Sequence, residues 1–313
     1  MTAISGDTKM LIRADGTRVH YRRWLPDGEV RGTVQIVHGA SEHSGRYGRL
    51  AEALTSRGLA VYAMDLRGHG HTAQSTGIGR FAGHGTDAGV DDLLEDVHAL
   101  QLLIDNDYPG VPHVLLGHSM GSIIALGSAE RDGVGLVGLV LSGPIGAAPQ
   151  LAETVSALED AVAAGAGDNA LDALGPFNEP FEPARTRYDW LSRDPAEVDA
   201  YIADPLSGDD MPLTAAYAAG VFRLAVGSAT PEAIRQLPDG LPVLLLSGQL
   251  DPVGGAEAAQ VTALAELLRN RGLPVEQRVY PDARHEVFNE TNRDEVTGDL
   301  LTWLDQRVGS PAR

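Results

Sequence analysis

The chain has 313 residues, of which 24 are Lys or Arg and 43 are Asp or Glu, giving a formal net charge of −19. That length suits one large domain, or a domain with a sizeable insertion. The acidic balance, with no Lys/Arg-rich run against it, opposes binding to nucleic acid or to an anionic membrane, and the absence of cysteine excludes disulfides, thiolate metal sites and a cysteine nucleophile.

The opening M-T-A-I-S-G-D-T-K-M lacks a basic start and an apolar core, so no signal peptide is expected. No apolar run reaches the roughly 18 residues of a membrane helix, and a soluble cytoplasmic protein without stable membrane insertion is the expectation. T-R-V-H-Y-R-R-W-L (17–25) alternates in polarity, which predicts an antiparallel edge strand. T-V-Q-I-V-H (33–38) reads as a buried strand, followed by a helix near Tyr47 to Arg57; L-A-V-Y-A-M-D (59–65) is the next strand. Helical spacing returns over 90–105, with leucines and Val97 on one face and acids on the other.

After Pro112 come V-L-L-G, a helix to about Glu130, and the strand L-V-G-L-V-L-S-G (136–143). This repeated β-α-β order predicts an α/β fold, a mainly parallel central sheet with helices on both faces. Residues 147–237 break the rhythm: rich in Ala, Asp and Pro, helical in stretches and without a convincing strand, they read as a helical cap inserted between core segments 1–146 and 238–313. The sheet resumes with L-P-V-L-L-L-S-G (241–248) and ends with V-E-Q-R-V-Y-P (275–281), before a last helix near Glu290 to Arg307.

Gly117-His118-Ser119-Met120-Gly121 fits G-x-S-x-G between a strand and a helix. A capping serine in a tight turn would share that spacing. The alternative is a nucleophile elbow: the sharp turn strains the serine backbone, flanking glycines leave room for it, and the helix N-terminus offers N–H groups to a developing oxyanion. A serine nucleophile needs a base oriented by a carboxylate, in chain order Ser, acid, His, each just past a strand. Asp251 in L-S-G-Q-L-D-P and His285 in V-Y-P-D-A-R-H-E-V-F meet both conditions, whereas Asp282 shapes its own turn. The loop H-G-A-S-E-H-S-G-R-Y (38–47) follows the first parallel strand, so the N–H groups of Ala40 and Met120 are the expected oxyanion hole. His118 is expected to pack beside the serine. His69 and His71 have no carboxylate at metal-ligand spacing, and neither a metal nor another cofactor is expected.

These residues together resemble the monoacylglycerol lipase and lysophospholipase-like branch of the α/β-hydrolase fold, over about residues 14 to 306. The carrying segments are 38–47, D-L-R-G-H-G (65–70), L-L-G-H-S-M-G (115–121), L-S-R-D-P-A-E-V-D-A-Y-I-A-D-P-L (191–206) and the Asp251 and His285 loops. The resemblance implies Ser119, Asp251 and His285 as the triad. It also implies Glu42, Arg46 and Tyr201 near the leaving-alcohol end of the pocket, although Arg46 alone reads equally as a surface charge at a helix start, and Tyr201 as cap packing. The activity implied is hydrolysis of a small-molecule ester through an acyl-enzyme, with a monoacylglycerol or lysophospholipid as substrate. Alternatives are small or aromatic monoesters such as monoalkyl phthalates, whose carboxylate would pair with a pocket arginine, and a non-catalytic binding protein on the same scaffold. Two departures stand out: Ser122 replaces the second glycine of the usual G-G, and V-S-A-L-E-D-A-V-A-A-G-A-G-D-N-A-L-D-A-L (155–174) is poor in large apolar side chains where lipases of this branch touch lipid. A water-soluble ester is therefore expected over emulsified lipid.

Overall fold

A computed structural model describes residues 6–82 and 86–309. Residues 1–5, which begin the segment read for a leader peptide, and the ends of the ranges assigned to the core lie outside the described residues. In chain order the strands are β1 (Asp7–Ile12), β2 (Arg18–Trp24), β3 (Gly32–Val37), β4 (Leu59–Met64), β5 (His113–His118), β6 (Leu136–Ser142), β7 (Ala170–Leu171), β8 (Leu213–Thr214), β9 (Val243–Gly248) and β10 (Val275–Tyr280). Eight of them form one sheet in the order β1-β2-β4-β3-β5-β6-β9-β10. It is parallel from β4 to β10, with β1 and β2 antiparallel at one side.

The unbroken apolar runs explain the parallel strands. Every residue of β3, β4, β5 and β9 is buried, as strands covered on both faces must be. On one face α1 (Gly48–Thr55) and α10 (Arg293–Val308) bring Leu50, Leu54, Leu300 and Trp303 against Ile36 and Val114. On the other, α3 (Thr86–Asp107), α4 (Met120–Asp132) and α9 (Ala259–Asn270) bring Leu93, Val97, Ile124 and Leu264 against Val37 and Leu115. A short α2 (Ala73–Thr76) follows the Arg67–His71 turn. Between β6 and β9 lie α5 (Leu151–Ala161), α6 (Pro195–Ala203), α7 (Ala215–Ser228) and α8 (Pro231–Ile234), joined by 3-10 turns at Gly175–Phe181 and Asp189–Leu191. No helix among the described residues is long and apolar enough to cross a membrane.

Three expectations change. The strand predicted at 17–25 is β2, and it is not the edge: β1 pairs outside it through a turn in which Thr17 N and Oγ1 both donate to the Asp15 carboxylate at 2.9 Å. Sequence reading missed β1 because its residues are almost all exposed, so no apolar periodicity marks it. Segment 147–237 is not free of strand, since β7 pairs antiparallel with β8; two residues are too few to show a period. The last helix starts at Arg293 rather than Glu290, because the Glu290 carboxylate accepts from Arg193 Nε at 2.8 Å and from Arg284 N at 2.8 Å and so braces the preceding loop.

Candidate active site

The strand order reverses on either side of β3 and β5, and ligands bind in open α/β sheets where that happens, past the carboxyl ends of the strands. Ser119 leaves β5 with φ 53° and ψ −123°, a left-handed conformation disfavoured for a residue with a Cβ. Its N–H donates to Ser142 O at 2.8 Å, while Ser122 N and Ser122 Oγ return hydrogen bonds to Ser119 O at 2.8 and 2.6 Å. A Cβ at Gly121 would lie 2.1 Å from Val37 O, and one at Gly117 would lie 2.2 Å from Gly121 O, so neither position accepts a side chain. The serine that replaces the second glycine therefore adds a hydrogen bond to the elbow's own carbonyl.

Past β10, His285 Nδ1 lies 3.0 Å from both carboxylate oxygens of Asp251, past β9. Asp251 also accepts from Val253 N at 2.9 Å, and both side chains are buried. Burial alone would lower the imidazole pKa. The Asp251 charge and hydrogen bond, with Glu286 and Glu42 behind them, outweigh it and hold His285 above the ordinary histidine value of 6.5. The His285 ring lies between Trp190, 4.8 Å away between centroids, and His118, 4.9 Å away. Burial, then the neighbouring His285, push His118 down to about 4, so it packs there as a neutral ring. Gly143 has φ +52°, and a Cβ there would stand 3.1 Å from the imidazole, so a larger residue would be strained and would crowd the ring.

Ser119, Ala40, Met120 and Trp190 share the walls of one cavity of about 190 Å³. Its other walls are mostly apolar, with Ile145 and Val253 from the core, Leu174, Phe177, Leu213 and Phe222 from segment 147–237, and Gln150 and Gln260 as the polar exceptions. Ala40 lies in the loop after β3 and Met120 opens α4, so the two residues come to the cavity beside Ser119 from the elements that meet at the sheet's reversal.

Glu42, Arg46 and Tyr201 do not line that cavity. They lie behind it in a buried network, where Arg46 bridges Glu42 and Glu286 and the Tyr201 ring covers the guanidinium at 4.8 Å. Arg46 is thus no surface charge. Two of the quoted motifs interlock here: Tyr201 donates its hydroxyl to Ser41 O at 3.0 Å, and His43 Nε2 meets Asp204 Oδ2 at 2.8 Å. The start of the 191–206 segment also holds the histidine loop, because His285 N and Glu286 N donate to the carbonyls of Trp190 and Leu191 at 3.3 and 2.8 Å. Asp282 has φ 58° and donates its N–H to Gln249 Oε1, so it shapes the turn. His69 is buried against Tyr217, and no group of three metal-ligating side chains occurs among the described residues. Trp190 and Glu286 went unnoticed in the sequence. Glu286 carried a faint signal, a charge directly after the histidine in P-D-A-R-H-E-V-F.

A model of the Hydrolase_4 family, described as serine aminopeptidase, S33, matches residues 28–292. The chain belongs to this family. Its α/β-hydrolase fold is shared by a thermostable carboxyl esterase from Bacillus coagulans, solved in complex with glycerol, at 30% identity and a TM-score of 0.88 over 97% of this chain and 99% of that one. Among family relatives, the chain is 34% identical to the human monoglyceride lipase over 97% of its own length and 92% of the relative's. It is 33% identical to the monoacylglycerol lipase of Mycolicibacterium smegmatis over 92% and 93%. The resemblance drawn from short motifs thus extends over nearly the whole chain.

Proposed function

We propose that this carboxylic ester hydrolase cleaves monoacylglycerols through an acyl-enzyme on Ser119. The observation that carries the reading is the strained serine sharing a cavity wall with Trp190, which packs on the imidazole of the His285–Asp251 pair. His285 takes the serine proton as Ser119 Oγ attacks the ester carbonyl. The amides of Ala40 and Met120 receive the oxyanion, and Met120 adds the positive end of α4. His285 then protonates the leaving alcohol and activates the water that releases the acid, while Asp251 holds the imidazole tautomer and balances its charge. Residues 147–237 act as a cap whose apolar residues receive the acyl chain, in keeping with the names of the two relatives above.

A phthalate monoester is less well supported, because its carboxylate would need a pocket arginine, and Arg46 is held by Glu42 and Glu286 away from the cavity. A cytoplasmic location goes with the reading; the net charge of −19 disfavours anionic membrane surfaces, and cell fractionation tests it. The function is tested by the rate of monoacylglycerol hydrolysis and by labelling with a fluorophosphonate probe. Ser119→Ala is expected to abolish both without changing the circular dichroism spectrum. A variant that still turned over p-nitrophenyl esters at the wild-type rate would remove the scheme.

A further inference from the structure

A chain of buried polar contacts runs from the oxyanion loop to the histidine loop. Gly39 N and Tyr47 Oη both donate to Glu42 Oε1, at 2.5 and 2.8 Å. The other oxygen of Glu42 accepts from Arg46 Nη1 at 2.8 Å. Arg46 then grips Glu286 with both terminal nitrogens, at 2.6 and 2.8 Å, and Glu286 directly follows His285. Asn289 Nδ2 donates to the same carboxylate at 2.8 Å. The side chains of Arg46, Glu42 and Glu286 are only 11%, 4% and 6% exposed, so solvent screens these contacts far less than it would at the surface.

The geometry is that of a strut. At one end Glu42 holds the His38–Gly39 peptide, one residue before the Ala40 amide; at the other, Arg46 holds Glu286, the residue that directly follows His285. Bidentate arginine–carboxylate pairing is directional, so it sets orientation as well as distance. The cluster also holds two carboxylates against one guanidinium. His285 therefore faces Asp251, Glu286 and Glu42 as anions, the last two paired with Arg46, and His118 as a neutral ring.

We propose that Glu42, Arg46 and Glu286 are positioning residues, which hold the Ala40 amide and the His285 imidazole in register and whose excess negative charge favours the imidazolium formed when Ser119 gives up its proton. The proposal rests on the serine-hydrolase reading above but not on the choice of substrate. It also differs in kind from a role in contacting the leaving alcohol, because the strut serves every ester alike.

Glu286→Gln and Arg46→Lys separate the two roles when assayed on p-nitrophenyl, methyl and glyceryl esters of one acyl chain. Glu286→Gln is expected to lower kcat by about ten- to a hundredfold, by a common factor on all three esters, with KM little changed. The acid limb of kcat/KM should move to lower pH, since a negative charge beside His285 is lost. Arg46→Lys, which keeps the charge and loses the fork, should lie between this variant and the wild type. If KM rose for the glyceryl ester alone, the two residues would be substrate contacts and the proposal would fall. It would fall equally if thermal stability dropped while kcat and the pH profile stayed at wild type. Should Glu286→Gln not fold, Arg46→Lys carries the same comparison of kcat and KM. A wild-type enzyme active on p-nitrophenyl and methyl esters but not on the glyceryl ester would overturn the substrate assignment and leave the strut to be judged on the other two.

Discussion

Ser119 holds a backbone conformation that costs on the order of 1–3 kcal/mol, and its surroundings supply that energy. The two glycines of the elbow matter for space rather than flexibility, since neither has positive φ and each faces a carbonyl oxygen about 2 Å from where a Cβ would stand. Gly121→Ala is accordingly expected to destabilise the protein by about 3 kcal/mol through overpacking against β3, measured by denaturant unfolding. His285 acts as a base only when neutral, and its pKa lies above 6.5. The rate should therefore fall as pH drops through a value higher than that of ordinary histidine, as the acid limb of a kcat/KM profile would record. Asp251→Asn removes the charge and the acceptor responsible, and kcat should fall by about four orders of magnitude. Spacing and order alone marked the three proposed triad positions, because each follows a strand, and the apolar runs before Ser119 and Asp251 are easy to see. Trp190 and Glu286 were not legible, because they reach His285 from distant or unremarkable sequence.

At the scale of elements, the nucleophile's helix is clamped between the sheet and the proposed cap. α4 is buried along its first ten residues, and α7 crosses it so closely that a Cβ on Gly127 would come within 2.9 Å of Leu224. Near that crossing, burial raises the Glu130 carboxyl from 4.5 to about 8, while a hydrogen bond from Ser228 on α7 works in the other direction. A raised acid binds its proton more tightly in the folded state, so its contribution to stability is present below pH 4.5 and is lost as pH rises towards 8. Glu130→Gln should stay neutral throughout. Its melting temperature should fall less than that of the wild type across this interval, with a difference of about 1–3 kcal/mol at the alkaline end. A parallel decline in both proteins would contradict this. The same scale explains the motifs. E-H-S-x-R-Y and Y-x-x-D-P-L look unrelated along the chain, yet Tyr201–Ser41 and His43–Asp204 make them two sides of one contact between the loop after β3 and segment 147–237. The missed β1, β7 and β8 share one cause: strands that are exposed or only two residues long bury too little to leave a pattern.

Across the whole molecule, the net charge of −19 and the surface of the cap point the same way. Within 147–237, Ile202 is the one exposed large apolar side chain, while the apolar residues of this segment that matter to the site turn inward to the cavity. At roughly 25 cal/mol per Å² of apolar burial, so little exposed surface gives weak adsorption to a lipid interface. Hydrolysis should thus follow simple saturation through the critical micelle concentration of a monoacylglycerol; an abrupt rise there would show interfacial activation and count against this reading. The sequence by itself determined the succession of parallel strands along the chain, the elbow motif, and the proposed acid and histidine that follow it, because each depends on local runs and on chain order. Only the tertiary structure decided that Glu42, Arg46 and Tyr201 lie behind the cavity rather than in its wall. Their partners are a loop more than 200 residues away and a cap segment more than 100 away, and no local pattern encodes which way a buried charge must turn to meet them.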